Sequence, residues 1–218
     1  MNKIKLLYDV VMTMRNKDAL HGVLTAEAQK DRVNIFNIRN EFEKNLLTRQ
    51  TKAKISTEMD YEGKIVKHES NTEFTLPCCG ESRHHEFINR FHKGHSAGCG
   101  GLKGMFAKLA MALAILNALQ VEEQESKTVV MSLNADDLPE DTKELIRDKM
   151  SRAGTCEHGG HGFLKECCTV DKLDFLFKMF VNKKSEVEKI LVTVGGSQSD
   201  GQNEQHDLKA KAELSFSW

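Results

Sequence analysis

Cysteine and histidine are the residues of this chain best equipped for chemistry, and they are not scattered. All six cysteines (Cys78, Cys79, Cys99, Cys156, Cys167 and Cys168) fall in two windows, 78–99 and 156–168. Six of the nine histidines (His84, His85, His92, His95, His158 and His161) share those windows. Together the windows occupy about a sixth of the 218 residues. Ten of the fifteen glycines lie inside or beside them, and glycine supplies the positive-φ turns that let a backbone wrap an ion. Thiolate and neutral imidazole are the donors that zinc takes in a tetrahedron. The composition therefore points to a soft-ligand metal site.

The spacing narrows the donors. Cys156-Glu-His158-Gly-Gly-His161 places three ligands within six residues on a flexible loop. Cys167 and Cys168 follow as an adjacent pair, and Cys78 and Cys79 form a second pair at the end of an expected strand. An adjacent pair lets one thiol bind while its neighbour faces away. The expected metal ligands are drawn from Cys78, Cys79, Cys156, His158, His161, Cys167 and Cys168, and the two windows are expected to meet in space. The pattern contains no C-x-x-C and matches no standard zinc finger. The plainer reading of any one of these residues is a buried thiol or a solvated imidazole. A disulfide set needs an oxidising compartment, which the N-terminal segment does not announce.

Two other chemistries compete. Cys99 precedes an apolar helix whose N-terminus would favour the thiolate, with His92 or His95 as base, which describes a thiol enzyme. Met105, Phe106, Met111, Leu113 and Leu116 would line a cavity for a small hydrophobic ligand if helices cover a curved sheet. Residues 98–104 (GCGGLKG) lack the Gly-Lys-Ser/Thr ending of a phosphate loop, and no GxSxG or HExxH is present.

The elements that must position these residues follow from hydrophobic period. Residues 3–16 place Ile4, Leu7, Val11 and Met14 on one helical stripe, predicting a helix that packs on the body of the fold. Segments 20–28, 33–44, 51–61 and 64–76 read as four strands, with turns at Lys30-Asp31 and Glu62-Gly63. The run 102–121 is apolar all round and predicts the most buried helix. Residues 127–133 read as a short strand, and Pro139 opens a helix over 139–152. Beyond Thr169 and Asp171, the spacing of Leu173, Leu176, Phe177 and Phe180 predicts another helix. Ile190, Val192 and Val194 suggest a strand, 195–207 a mobile polar loop, and 208–218 a strictly alternating strand.

The expected fold class is α+β. An antiparallel meander of about six strands, from 19–76 and 188–218, would be covered on one face by helices from the middle of the chain. The whole of 1–218 is expected as one domain, with a Cys/His/Gly-rich helical insertion at 77–187. Thirty-one Lys and Arg against 32 Asp and Glu give a net charge of -1, so no basic excess marks a nucleic-acid binder. The apolar run 105–119 falls short of the roughly 20 residues a membrane helix needs. A cytoplasmic setting with reduced thiols is expected. The alternating Lys/Glu sheet faces offer a surface for a homodimer.

Overall fold

The computed structural model describes residues 2–61, 63–75, 102–144, 146, 172–199 and 205–218. Helix α1 (Lys3–Arg15) starts at Asn2, whose side-chain oxygen accepts from the backbone N–H of Ile4 and Lys5 at 3.0 and 3.2 Å. That cap satisfies two donors the first turn would leave unpaired. The helix is rotated from the expected orientation. Leu6 and Val10 are buried and Leu7 and Met14 pack beside them, whereas Ile4 and Val11 are exposed at 67% and 60%. Both stripes are apolar, so the period alone does not choose between them.

Four strands follow: β1 (Ala19–Lys30), β2 (Val33–Asn45), β3 (Gln50–Tyr61) and β4 (Lys64–Thr75). Local chemistry makes each turn. Asp31 and Arg32 both take positive φ, 51° and 68°, the geometry of a two-residue hairpin turn. Asn45 closes the next turn by accepting from Leu47 N (2.9 Å) and Thr48 N (2.8 Å). Gly63 sits at φ 78°, where a side chain would be strained, and its N–H reaches Asp60 Oδ1 at 2.9 Å.

Helix α2 (Leu102–Ala118) leads to β5 (Gln120–Glu123), β6 (Val129–Asn134) and a 3-10 turn at Ala135–Asp137. A helical turn at 140–144 follows, with Thr142 N and Lys143 N donating to the Pro139 carbonyl; the remainder of the helix expected over 139–152 lies outside the described residues from 147 onward. The chain ends in β7 (Lys172–Val181), β8 (Val187–Ser199) and β9 (Gln205–Ser217). All nine strands form one antiparallel sheet in the order β4-β3-β2-β1-β9-β8-β7-β6-β5. Every neighbour is consecutive in sequence except β1 and β9, which join the two ends of the chain.

This corrects the expected α+β architecture. The sheet has nine strands rather than six, and the middle of the chain contributes β5, β6 and β7 to it instead of a helical cover. The helix expected around Leu173–Phe180 is strand β7. Its sequence KLDFLFKMFV carries apolar residues at both periods. Phe175, Phe177 and Met179 alternate with Leu176, Lys178 and Phe180, and the aromatic content favours the pleat. Pairing with β6 on one side and β8 on the other decides the matter by satisfying the backbone on both edges. The loop expected at 195–207 is also partly strand, because Gly195 to Ser199 pair with Lys209 back to Gln205.

The core lies on one part of the sheet. Leu6 and Val10 of α1 pack with Leu119, Val129, Met131, Val181 and Val187. The described half of helix α2, from Ala110 onward, does not carry the burial expected of it. Among its described side chains Ala110, Ala112, Leu113 and Asn117 are exposed, and the buried residue is Leu119, just past its end. A helix without a polar face predicts burial only if a surface is free to receive it, and α1 occupies the face of β6–β8. Among the described residues, no helix is long and apolar enough to cross a membrane.

Candidate functional site

Both Cys/His windows lie, in sequence, between described elements. Window 78–99 lies between the end of β4 and the start of α2, and window 156–168 lies between the 140–144 helical turn and β7. The expected ligands Cys78, Cys79, Cys156, His158, His161, Cys167 and Cys168 lie outside the described residues, as do His84, His85, His92, His95 and Cys99. The scaffold does fix where these connections attach. Thr75, where the first departs, pairs with Gln50 at the end of the sheet that carries Ala19. Lys172, where the second returns, pairs with Ser197 at the opposite end, beside the β1–β2 turn.

The described part of the chain holds His21, His68 and His206 and no cysteine. Among the described residues, no group of three or more His, Cys, Asp and Glu side chains is placed to hold a metal. Of the residues expected to line an apolar cavity, Leu113 borders an open groove of about 550 Å³ with Ala110, Ala114, Ala118, Asp137 and Pro139. Leu113 is 49% exposed there.

Two polar clusters pin the sheet at opposite ends. At one end, Asp31 Oδ2 meets His206 Nδ1 at 2.8 Å, and Asp31 Oδ1 accepts from Asp207 N at 2.9 Å. The backbone N–H of Asp207, and then the imidazole of His206, hold the Asp31 carboxyl below its usual value, because both stabilise the charged form. At the other end, Glu186 Oε1 accepts from Lys17 Nζ, and its Oε2 accepts from Asn182 Nδ2 at 2.9 Å. The Asn182 amide and then the Lys17 ammonium lower the Glu186 carboxyl likewise. Lys17 Nζ also lies 4.7 Å from the centre of the Trp218 ring, and Trp218 Nε1 donates to Val187 O at 2.9 Å. Sequence reading missed both clusters. The backward extension of the 208–218 alternation, through Asp207 and Gln205, was the signal that His206 belongs to a strand.

The third feature is a polar groove on one face of the sheet. Its two cavities, about 330 and 720 Å³, share the face that bears Thr25, Glu27, Arg39, Glu58, Lys211 and Glu213 in one and His21, Glu43, Lys52, Lys54 and Glu73 in the other. Strand register sets these rows: Thr25 lies opposite Arg39 and Glu213, and Glu27 opposite Asn37 and Lys211. Acid and base alternate, so the local field largely cancels. Lys189 bonds Glu213 at 2.8 Å and lowers its carboxyl. Such a face favours water or a ligand carrying both charges.

No known protein family matches the chain, and no curated protein is similar to it. Among solved structures, an N-terminal dehydratase from the difficidin assembly line aligns with 99% of this chain and 85% of its own. The identity is 10% and the TM-score 0.17. A tesB protein of Mycobacterium avium subspecies paratuberculosis aligns with 99% of this chain and 86% of its own, at 11% identity and a TM-score of 0.14. Scores this low show no shared fold, and neither protein's activity transfers to this chain.

Proposed function

We propose that this protein is a zinc-binding protein of a reducing, cytoplasmic setting, in which the metal has a structural role. One observation carries the reading: twelve of the fifteen Cys and His residues are confined to two Gly-rich windows of the sequence, while the nine-stranded sheet holds no cysteine. Donor chemistry supports zinc, because thiolate and imidazole are its ordinary ligands. The ligands come from Cys78, Cys79, Cys156, His158, His161, Cys167 and Cys168. Chain length allows the connections to share an ion. At about 3.3 Å per residue, 76–101 extends to roughly 85 Å, whereas six strand steps at roughly 4.8 Å across the sheet and one twelve-residue strand length along it put the attachment points about 50 Å apart. Metal binding would then hold together segments rich in glycine and poor in apolar side chains, making binding energy into folding energy.

Metal analysis of tag-free protein tests this. At least one zinc per chain is expected, released by chelation and by the paired substitution Cys156→Ser with Cys168→Ser, with a lower melting temperature in both cases. Affinity should fall below about pH 6, where protons compete for the thiolates. Metal-free protein from a reducing preparation, with a melting curve that chelation does not change, would establish buried thiols instead. Rapid labelling led by Cys99 in such metal-free protein would favour the thiol-enzyme reading.

A further inference from the structure

Strand β4 is the outer strand of the sheet and runs for twelve residues, Lys64–Thr75. Every position from Lys64 to Thr75 is exposed except Ser70, which is half-buried. Ile65, Val66 and Phe74 are 62%, 58% and 46% exposed. Among the described residues, nothing pairs with the outer edge of this strand. A long edge of unpaired backbone groups is a template for another strand.

We propose that β4 is a self-association edge, on which a second copy of this chain adds its own β4 antiparallel, centred on Ser70. The argument is the residue pattern. About that centre, Lys67 of each copy faces Glu73 of the other, and Val66 faces Phe74. Ile65 faces Thr75, His68 faces Thr72, and Glu69 faces Asn71. Two-fold symmetry makes each pair twice. Opposite charges and apolar pairs set directly across are the favourable cross-strand combinations. The other registers lose this match. A centre at Glu69 sets two Glu69 side chains directly opposite one another. A centre at Asn71 puts Glu69 against Glu73 twice. A centre at His68 leaves Phe74 beyond the overlap. A two-fold axis through the sheet keeps each residue on its own face, so the polar face continues across the junction as polar and the other face continues as itself. Lys67 already bonds Glu58 of the neighbouring strand at 2.9 Å, and Glu73 accepts from Gln50, so both side chains are held on the polar face where the second copy arrives.

Edge pairing alone buries little surface, so the dimer should be concentration-dependent. Sedimentation from micromolar to millimolar concentration, with hydrogen exchange on β4, tests it. Wild-type protein should dimerise, and β4 amide protection should rise with concentration. Lys67→Glu or Glu73→Lys each sets two like-charge pairs across the junction, and each should weaken the dimer at least about tenfold. An equimolar mixture of the two single variants should form a heterodimer. The carboxylate introduced at position 67 of one chain then faces the ammonium introduced at position 73 of the other, and the remaining Glu73 faces the remaining Lys67. Charge effects inside each chain persist in the mixture, so recovery there reports pairing between chains. Three results would overturn the proposal: a wild-type monomer at millimolar concentration, single variants that dimerise like wild type, or a mixture that stays monomeric.

Discussion

The two halves of the sheet are held by different forces. Strands β5–β8 receive α1 on one face and bury Val129, Met131, Val181 and Val187 against it, with Met131 and Val181 fully enclosed. Strands β2–β4 have no buried hydrophobic residue among their described side chains, and β4 is exposed along nearly its whole length. Burying a large apolar side chain contributes about 1.5–3 kcal/mol, whereas a good cross-strand pair contributes about 0.2–1. The first half is therefore a packed core and the second a hydrogen-bonded ladder carrying charge. Their junction is β1–β9, where Gly22 lies opposite both Phe42 and Phe216. A Cβ on Gly22 would sit 2.7 Å from Phe42 Cζ and 2.8 Å from the Ser215 carbonyl. The two phenylalanines meet edge-on at 6.5 Å, and Phe216 stacks on Trp218 at 5.5 Å. An aromatic row thus passes over a glycine from the ladder half toward the packed half. The difference teaches that sheet continuity alone does not distribute stability.

The largest break in this comparison should come from Met131→Ala. It empties a fully enclosed site and should cost about 2–5 kcal/mol in chemical denaturation. A matching Ile55→Ala in the ladder half, where the side chain is half-buried, should cost clearly less. Equal losses would show that both halves are packed alike. Gly22→Ala attacks the junction. The new methyl must displace a ring and cannot displace the carbonyl, so a loss of about 1–3 kcal/mol is expected, with altered near-ultraviolet dichroism from the aromatic row.

Asn40→Val should act in the opposite direction. Asn40 Oδ1 is buried without a hydrogen-bond partner on the half-buried face of β2, opposite Leu24 and Ile55. Replacing it with a β-branched apolar residue should raise stability by up to about 1 kcal/mol, read as a higher denaturation midpoint. A decrease would show that the amide is needed there.

The smallest effect is electrostatic. Glu186 and Asp31 both have lowered carboxyl pKa values in the folded state. A lowered acid stabilises the fold above its unfolded value, near pH 4, and that contribution disappears as pH falls through the lower folded value. Stability should therefore drop on acidification, and Glu186→Gln should flatten the drop. Trp218, the chain's single tryptophan, sits on Lys17 and should report the opening of that cluster by its emission. Identical acid limbs in wild type and variant would remove Glu186 from the account.

Strands β1 to β4 were legible from the alternation of 20–28 and 51–61 and from the turn signals at Asp31 and Gly63, whereas the pattern of 33–44 is imperfect and the turn that Asn45 closes was not expected. The alternation of Leu208, Ala210, Ala212 and Leu214 was equally plain. Segment 172–181 was not legible, because its apolar residues satisfy both periods and only pairing with β6 and β8 selects one. Helix α1 was legible as a helix but not in rotation, since two apolar stripes compete and the sheet accepts Leu6 and Val10. The grouping of cysteine and histidine is a property of the sequence alone, with its donor chemistry complete before any fold is known. What tertiary structure decided is that β9 closes on β1 and brings His206 to Asp31 and Trp218 to Lys17. Those pairs lie 175 and about 200 positions apart in the chain. Local period carries no information over such a distance, whereas the hydrogen-bonding requirement of two open strand edges does.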